Sequence, residues 1–81
     1  MFRPATHISP IERSVIAGPC KWSAVALRGA GKRDRAEADT LEEVLALAPL
    51  LYGNDGRAVG IYAHNEAGRT AMVGAWEPDH V

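Results

Sequence analysis

A small α+β domain is what this chain of 81 residues predicts, with one central helix packed on an antiparallel sheet of three to four strands. Three observations carry that reading. Thr40 to Tyr52, T-L-E-E-V-L-A-L-A-P-L-L-Y, has the pattern of a capped amphipathic helix. Segments of alternating polarity, bounded by turn residues, flank it on both sides in ββ-α-ββ order. A second, shorter helix signature lies near the N-terminus.

Residues 1–8 read as an extended arm, because Pro4, Thr6 and His7 leave no helical period. Ser9, Pro10 and Glu12 then spell an N-cap, a proline at the first helical position and the far half of a capping box. Ile11 and Val15 share a face, and Gly18-Pro19 stops the helix, which spans Pro10–Ala17. The rival there is a strand through Ser14 to Ala17. Lys21 to Arg28, K-W-S-A-V-A-L-R, reads as a strand, and Gly29 to Lys32 as its reversal. Arg33 to Asp39 alternates in polarity and reads as the exposed second strand of that hairpin, at a sheet edge, with a loop as the alternative.

In the central helix Leu41, Val44, Leu45, Ala48 and Leu51 form one apolar stripe. Thr40 and Glu43 have the spacing of a reciprocal capping box, and Glu42 adds negative charge at the positive end of the helix dipole. Pro49 is expected to end regular helix near Ala48 and leave a bent last turn. Gly53 to Gly56 is a turn. Arg57 to Ala63 and Arg69 to Trp76 are strands joined by a reversal at His64 to Gly68, and residues 77–81 form a polar tail. The whole is one domain.

If Val25, Leu27, Val59, Ile61, Ala63, Ala71, Val73 and Ala75 face the helix, the opposite sheet face carries Trp22, Tyr62, Met72 and Trp76 among alanines and glycines. Three readings stand open for it. The arm and short helix cover it as core, two copies of the chain pair there as a homodimer, or it binds another macromolecule.

Net charge of −1 gives no overall pull toward nucleic acid or anionic lipid. Locally the charge is polarised. Arg28, Lys32, Arg33 and Arg35 form a basic hairpin tip, followed at once by the acids Glu37, Asp39, Glu42 and Glu43. Cations on a two-stranded ribbon suit phosphates, although no aromatic interleaves with them to stack bases. The lone Cys20 excludes an intrachain disulfide and fits the cytosol. No apolar run has membrane-spanning length. His7, His64 and His80 have no metal-ligand spacing, and Gly29-Ala30-Gly31-Lys32 lacks the rest of a phosphate-binding loop. His64 reads as a solvated turn histidine. No catalytic constellation, metal site, cofactor or small-molecule substrate is expected, so an enzyme is not.

In size, solubility, α+β build and lack of catalytic residues, the chain resembles small phage- or prophage-encoded inhibitors such as anti-CRISPR proteins. The resemblance is one of kind, covers the whole chain and rests on no diagnostic motif, so no site residue is carried over. Many such inhibitors are strongly acidic, and this chain is not. The resemblance implies stoichiometric, non-enzymatic inhibition of a bacterial defence nucleoprotein complex in the cytoplasm of a host cell. The candidate contacts are Glu37, Asp39, Glu42 and Glu43 against a basic DNA-handling surface, or Trp22, Tyr62, Met72 and Trp76 as anchors. The alternatives are nucleic-acid binding through Arg28, Lys32, Arg33 and Arg35, and a homodimeric adaptor.

Overall fold

The caps expected from sequence organise the chain. Ser9 Oγ accepts from the Glu12 N–H and the Glu12 carboxylate accepts from the Ser9 N–H, both at 3.2 Å, closing the capping box of the first helix. Thr40 Oγ1 accepts from the Glu43 N–H at 3.1 Å and opens the second. The computed structural model describes residues 1–18, 21–27, 33–52 and 58–78, and of Leu27 the backbone alone. Along them run β1 (Phe2–Pro4), α1 (Pro10–Ala17), β2 (Lys21–Leu27), β3 (Arg33–Ala38), α2 (Leu41–Leu51), β4 (Val59–His64) and β5 (Thr70–Trp76). The expected turns at 29–32 and 53–56 lie outside the described residues, as do Cys20, Arg28 and His80.

The strands form one five-stranded sheet in the order β1-β5-β4-β2-β3, every neighbouring pair antiparallel. β3 and β4 thus run the same way on either side of β2, and α2 makes the crossover between them. The sheet is wider than the three to four strands expected, because the N-terminal arm is not loose. Phe2, Arg3 and Pro4 pair with Trp76, Ala75 and Gly74 of β5. Ala5 N–H donates to the Val73 carbonyl at 2.9 Å, and Glu77 N–H to the Met1 carbonyl at 3.0 Å.

Val15 of α1, Val44 and Ala48 of α2, and Ile61 and Val59 of β4 centre one buried cluster, completed by Ala24, Ala26, Ala63, Ala71 and Val73. Each large side chain taken fully from water contributes roughly 1.5–3 kcal/mol. Both helices contribute to this one cluster, so they cover the same face of the sheet. Among the described residues nothing covers the other face, called the uncovered face below, and the expectation that the arm and short helix shield it is corrected.

Two further corrections follow from how the faces are filled. On β2 the alternation is opposite to the one expected: Ala24 and Ala26 point at the helices with 0% and 4% exposure, and Val25 points away. Alanine lets α2 approach β2 closely, while Val44 and Ile61 supply the bulk that fills the layer. Leu27's side chain lies outside the description. On β5 the alternation changes midway. Tyr62 pairs with Met72 and Ile61 with Gly74, so Val73 is an extra residue in a β-bulge. Beyond it the faces invert, putting Ala75 on the uncovered face opposite Gly60 and Trp76 in the helix layer opposite Val59.

The helix α2 also runs through Pro49 to Leu51, and the Tyr52 N–H reaches the Ala48 carbonyl at 3.1 Å. Proline removes only its own donor, and at this exposed position water can serve the orphaned Leu45 carbonyl. The β4–β5 turn is built on Asn65, whose carbonyl accepts from Gly68 N–H at 3.1 Å and whose Oδ1 accepts from Arg69 N–H at 2.9 Å. Gly68 takes φ +80°, which a side chain would oppose.

Candidate binding face

The uncovered face collects residues that are far apart in sequence. Register alone places them: Ser23 lies between Glu37 of β3 and Tyr62 of β4, Val25 between Arg35 and Gly60, and Lys21 opposite His64. Met72 and Thr70 continue the face on β5, opposite Tyr62 and His64. Ser23, Val25, Arg33, Arg35, Tyr62, His64 and Thr70 line a depression of ≈ 420 Å³.

At its floor runs a chain of hydrogen bonds. Ser23 Oγ lies 2.6 Å from His64 Nε2, and His64 Nδ1 lies 3.0 Å from Thr70 Oγ1. A hydroxyl donates or accepts by rotation, so the pair accommodates either imidazole tautomer. The ring is held at both nitrogens. Its geometry is not that of acyl transfer: Ser23 is 1% exposed, the third partner is a hydroxyl rather than a carboxylate, and β2 is paired on both sides, so its N–H groups are committed to ladders.

Tyr62 leans along β4 over Gly60. A β-carbon built on Gly60 would stand 2.9 Å from Tyr62 Cε2 and 3.1 Å from its hydroxyl oxygen, so glycine is what allows the ring to lie down there. Tyr62 is half-buried there, and its ring lines the depression. Beside it Met72 is 43% exposed.

Cations border this aromatic. Arg33 and Arg35 stand on β3, and Arg35 Nη2 is 2.9 Å from Glu37 Oε1 with both side chains about half exposed, a pair worth at most about 1 kcal/mol. Arg3, on the far strand, bridges Glu77 at 3.8 Å. The acids mostly go elsewhere. Asp34 faces the helix layer opposite Ala26, and Asp39, Glu42 and Glu43 stand exposed at the start of α2. There Asp39 and Glu43 line another groove of ≈ 530 Å³ with Lys21, Glu37, Ala38, Ala46 and Leu47. Only the Thr40 half of the capping box expected at α2 forms, since the Glu43 side chain turns into this groove.

The sequence-derived sites are therefore regrouped. Tyr62 and Met72 share the uncovered face, but Trp22 and Trp76 do not. Trp22 packs partly buried against the core, and Trp76 meets Tyr52 edge-on in the helix layer, ring centroids 5.8 Å apart at 75°. Arg33 and Arg35 join Tyr62, whereas Arg28 and Lys32 lie outside the described residues. Glu37 pairs with Arg35 and also lines the groove of Asp39 and Glu43. Ser23 and Thr70 went unnoticed, and His64 is a half-buried strand residue rather than a solvated turn histidine. The only signal for that trio was the pairing of β2 with β4, which a local pattern does not reveal.

Among the described residues no three His, Cys, Asp or Glu side chains gather as metal ligands, and no helix is long and apolar enough to cross a membrane. No protein-family model, curated protein or solved structure matches the chain.

Proposed function

We propose that the uncovered sheet face binds single-stranded nucleic acid, with Tyr62 as the stacking platform and Arg33 and Arg35 on the backbone phosphates. The observation that carries this is the shared depression. An aromatic side chain, two arginines and a doubly hydroxyl-bonded histidine occupy one patch of an otherwise small-residue floor. Stacking of a base on an aromatic is worth about 1–3 kcal/mol and tolerates any sequence, while arginine supplies the charge a phosphate needs. A flat sheet face fits splayed bases better than it fits a duplex groove.

Fluorescence anisotropy with a short labelled single-stranded oligonucleotide tests it. Tyr62→Ala should weaken binding roughly tenfold to a hundredfold. Replacing Arg33 or Arg35 by Gln should lower the salt slope by about 0.7 for each phosphate that is no longer neutralised. Absence of binding at low salt, or an unchanged affinity for Tyr62→Ala, would reject this reading.

A second reading rests on a different feature. Asp39, Glu42 and Glu43 gather at the start of α2, away from the arginine face, and such a surface complements the basic DNA-handling face of a bacterial defence complex of the CRISPR effector kind. Under stoichiometric inhibition of that kind, Glu42→Lys with Glu43→Lys abolishes the complex and Tyr62→Ala leaves it intact. Trp22 and Trp76, turned into the helix layer, no longer support an aromatic anchor for a protein partner.

A further inference from the structure

Strand β3 closes the sheet on one side, and among the described residues nothing pairs with its outer edge. We propose that a second copy of this chain docks there, β3 against β3 antiparallel about a two-fold axis through Ala36, joining the two sheets into one. This is independent of any nucleic acid.

The charge pattern of the strand argues for it. With the axis through Ala36, Arg35 stands opposite the partner's Glu37, Glu37 opposite the partner's Arg35, and Arg33 opposite the partner's Asp39. Moving the axis to Asp34, Arg35 or Glu37 sets that residue against its own copy, charge on like charge. Charges on an edge strand ordinarily guard it from lateral pairing. Here, among registers that keep both helix layers on one side, they guard against those alternatives and favour this one.

The helix layer adds a second, independent observation. Beyond its first turn the flank of α2 beside β3 turns apolar: Ala46 and Leu47 line the groove that Ala38 shares with Lys21, Glu37, Asp39 and Glu43, and Leu50 is 79% exposed. From the turn at Asp39–Thr40, Ala36 lies about 11–12 Å back along the strand. At about 1.5 Å per residue α2 reaches that level near Leu47. The two-fold therefore passes beside Leu47. α2 packs over β2 and β3, so with strands about 4.8 Å apart the two copies of α2 would run about 10 Å apart, a packing distance for helices. Leu47 and Leu50 would then meet their counterparts. Antiparallel registers shifted by one residue from those centred on a residue put the helix layers on opposite faces, have no two-fold axis, and leave these leucines uncovered.

Sedimentation equilibrium on the isolated chain tests the proposal. The wild type should dimerise, and Arg35→Glu or Glu37→Arg alone should weaken the dimer about tenfold or more, since each turns two attractive cross-strand pairs repulsive. Both side chains are exposed, and circular dichroism checks that the variants keep the fold. Mixing the two variants in equal amounts should restore dimerisation, because the mixed pair again sets Glu opposite Arg at both positions. A wild type that stays monomeric up to about 1 mM overturns the proposal. So do single variants that dimerise as tightly as wild type, or a mixture that associates no better than its components.

Discussion

Gly74→Ala is the most diagnostic change the structure offers, because two principles give it opposite signs. Alanine in place of a strand glycine is ordinarily stabilising by roughly 0.5–1 kcal/mol, through lower unfolded-state entropy. At Gly74, however, the added methyl would stand 2.3 Å from the Arg3 carbonyl oxygen and 2.8 Å from Cε1 and Cζ of Phe2. A carbon and a backbone oxygen need roughly 1 Å more than that, and backbone moves only with its strand. β1 is held by its ladder with β5 and by the flanking Ala5–Val73 and Glu77–Met1 bonds of 2.9 and 3.0 Å. A shift of 1 Å carries bonds of that length out of range, at about 1 kcal/mol each, and partly uncovers the Phe2 ring. The expected cost is about 2–3 kcal/mol, which for a chain of this size lowers Tm by roughly 10–20 °C. Urea unfolding followed by tryptophan fluorescence measures it, Trp76 lying opposite Phe2 across the β1–β5 pair. A chain lacking residues 1–5 provides the control, since without β1 the substitution should cost nothing within about 0.5 kcal/mol. If the full chain loses less than about 0.5 kcal/mol, or the truncated chain loses as much as the full one, the close approach is not what requires glycine.

Two other substitutions probe separate parts of the argument. Thr40→Ala removes the oxygen that accepts from the Glu43 N–H and should cost about 1 kcal/mol in equilibrium unfolding, an unchanged midpoint denying the cap a role. Ser23→Ala deletes a buried hydroxyl and leaves His64 Nε2 without its 2.6 Å partner, for about 1 kcal/mol and a visible change in the His64 ring resonances by NMR. An unperturbed ring would mean that Ser23 does not hold it.

Local structure was legible because it is encoded locally. Ser9, Pro10 and Glu12 delimit α1, and the stripe from Leu41 to Leu51 delimits α2, through contacts three or four residues apart. The β4–β5 hairpin and the edge position of β3 were legible for the same reason. The facing of β2 was not. Trp22-Ser23-Ala24-Val25-Ala26 offers an apolar set on either side, and the choice depends on how much volume β4 and α2 already supply. Larger Val25 looks like the core residue, but at the centre of β2 the layer beneath α2 takes Ala24 and Ala26. Strand β1 was hidden for another reason: it is three residues long and gains its place by pairing with a strand about seventy positions away. Pairing across such a span leaves no local trace.

The bulge at Val73 then decides what the uncovered face is made of. With strict alternation along β5, Trp76 would follow Met72 outward, and the face would carry a broad aromatic patch suited to burial against a protein. One extra residue turns Trp76 inward to Tyr52 and leaves Tyr62 as the central outward ring of that face, flanked by Met72, Arg33 and Arg35. The apolar patch becomes a mixed one, with a single stacking surface inside a ring of donors. Large apolar patches favour protein association, whereas an isolated aromatic among arginines favours a flexible anion with flat groups. A backbone irregularity of one residue, invisible in the apolar pattern of Ala71 to Trp76, thus moves the balance toward nucleic-acid binding, which the sequence offers only as the alternative to protein binding.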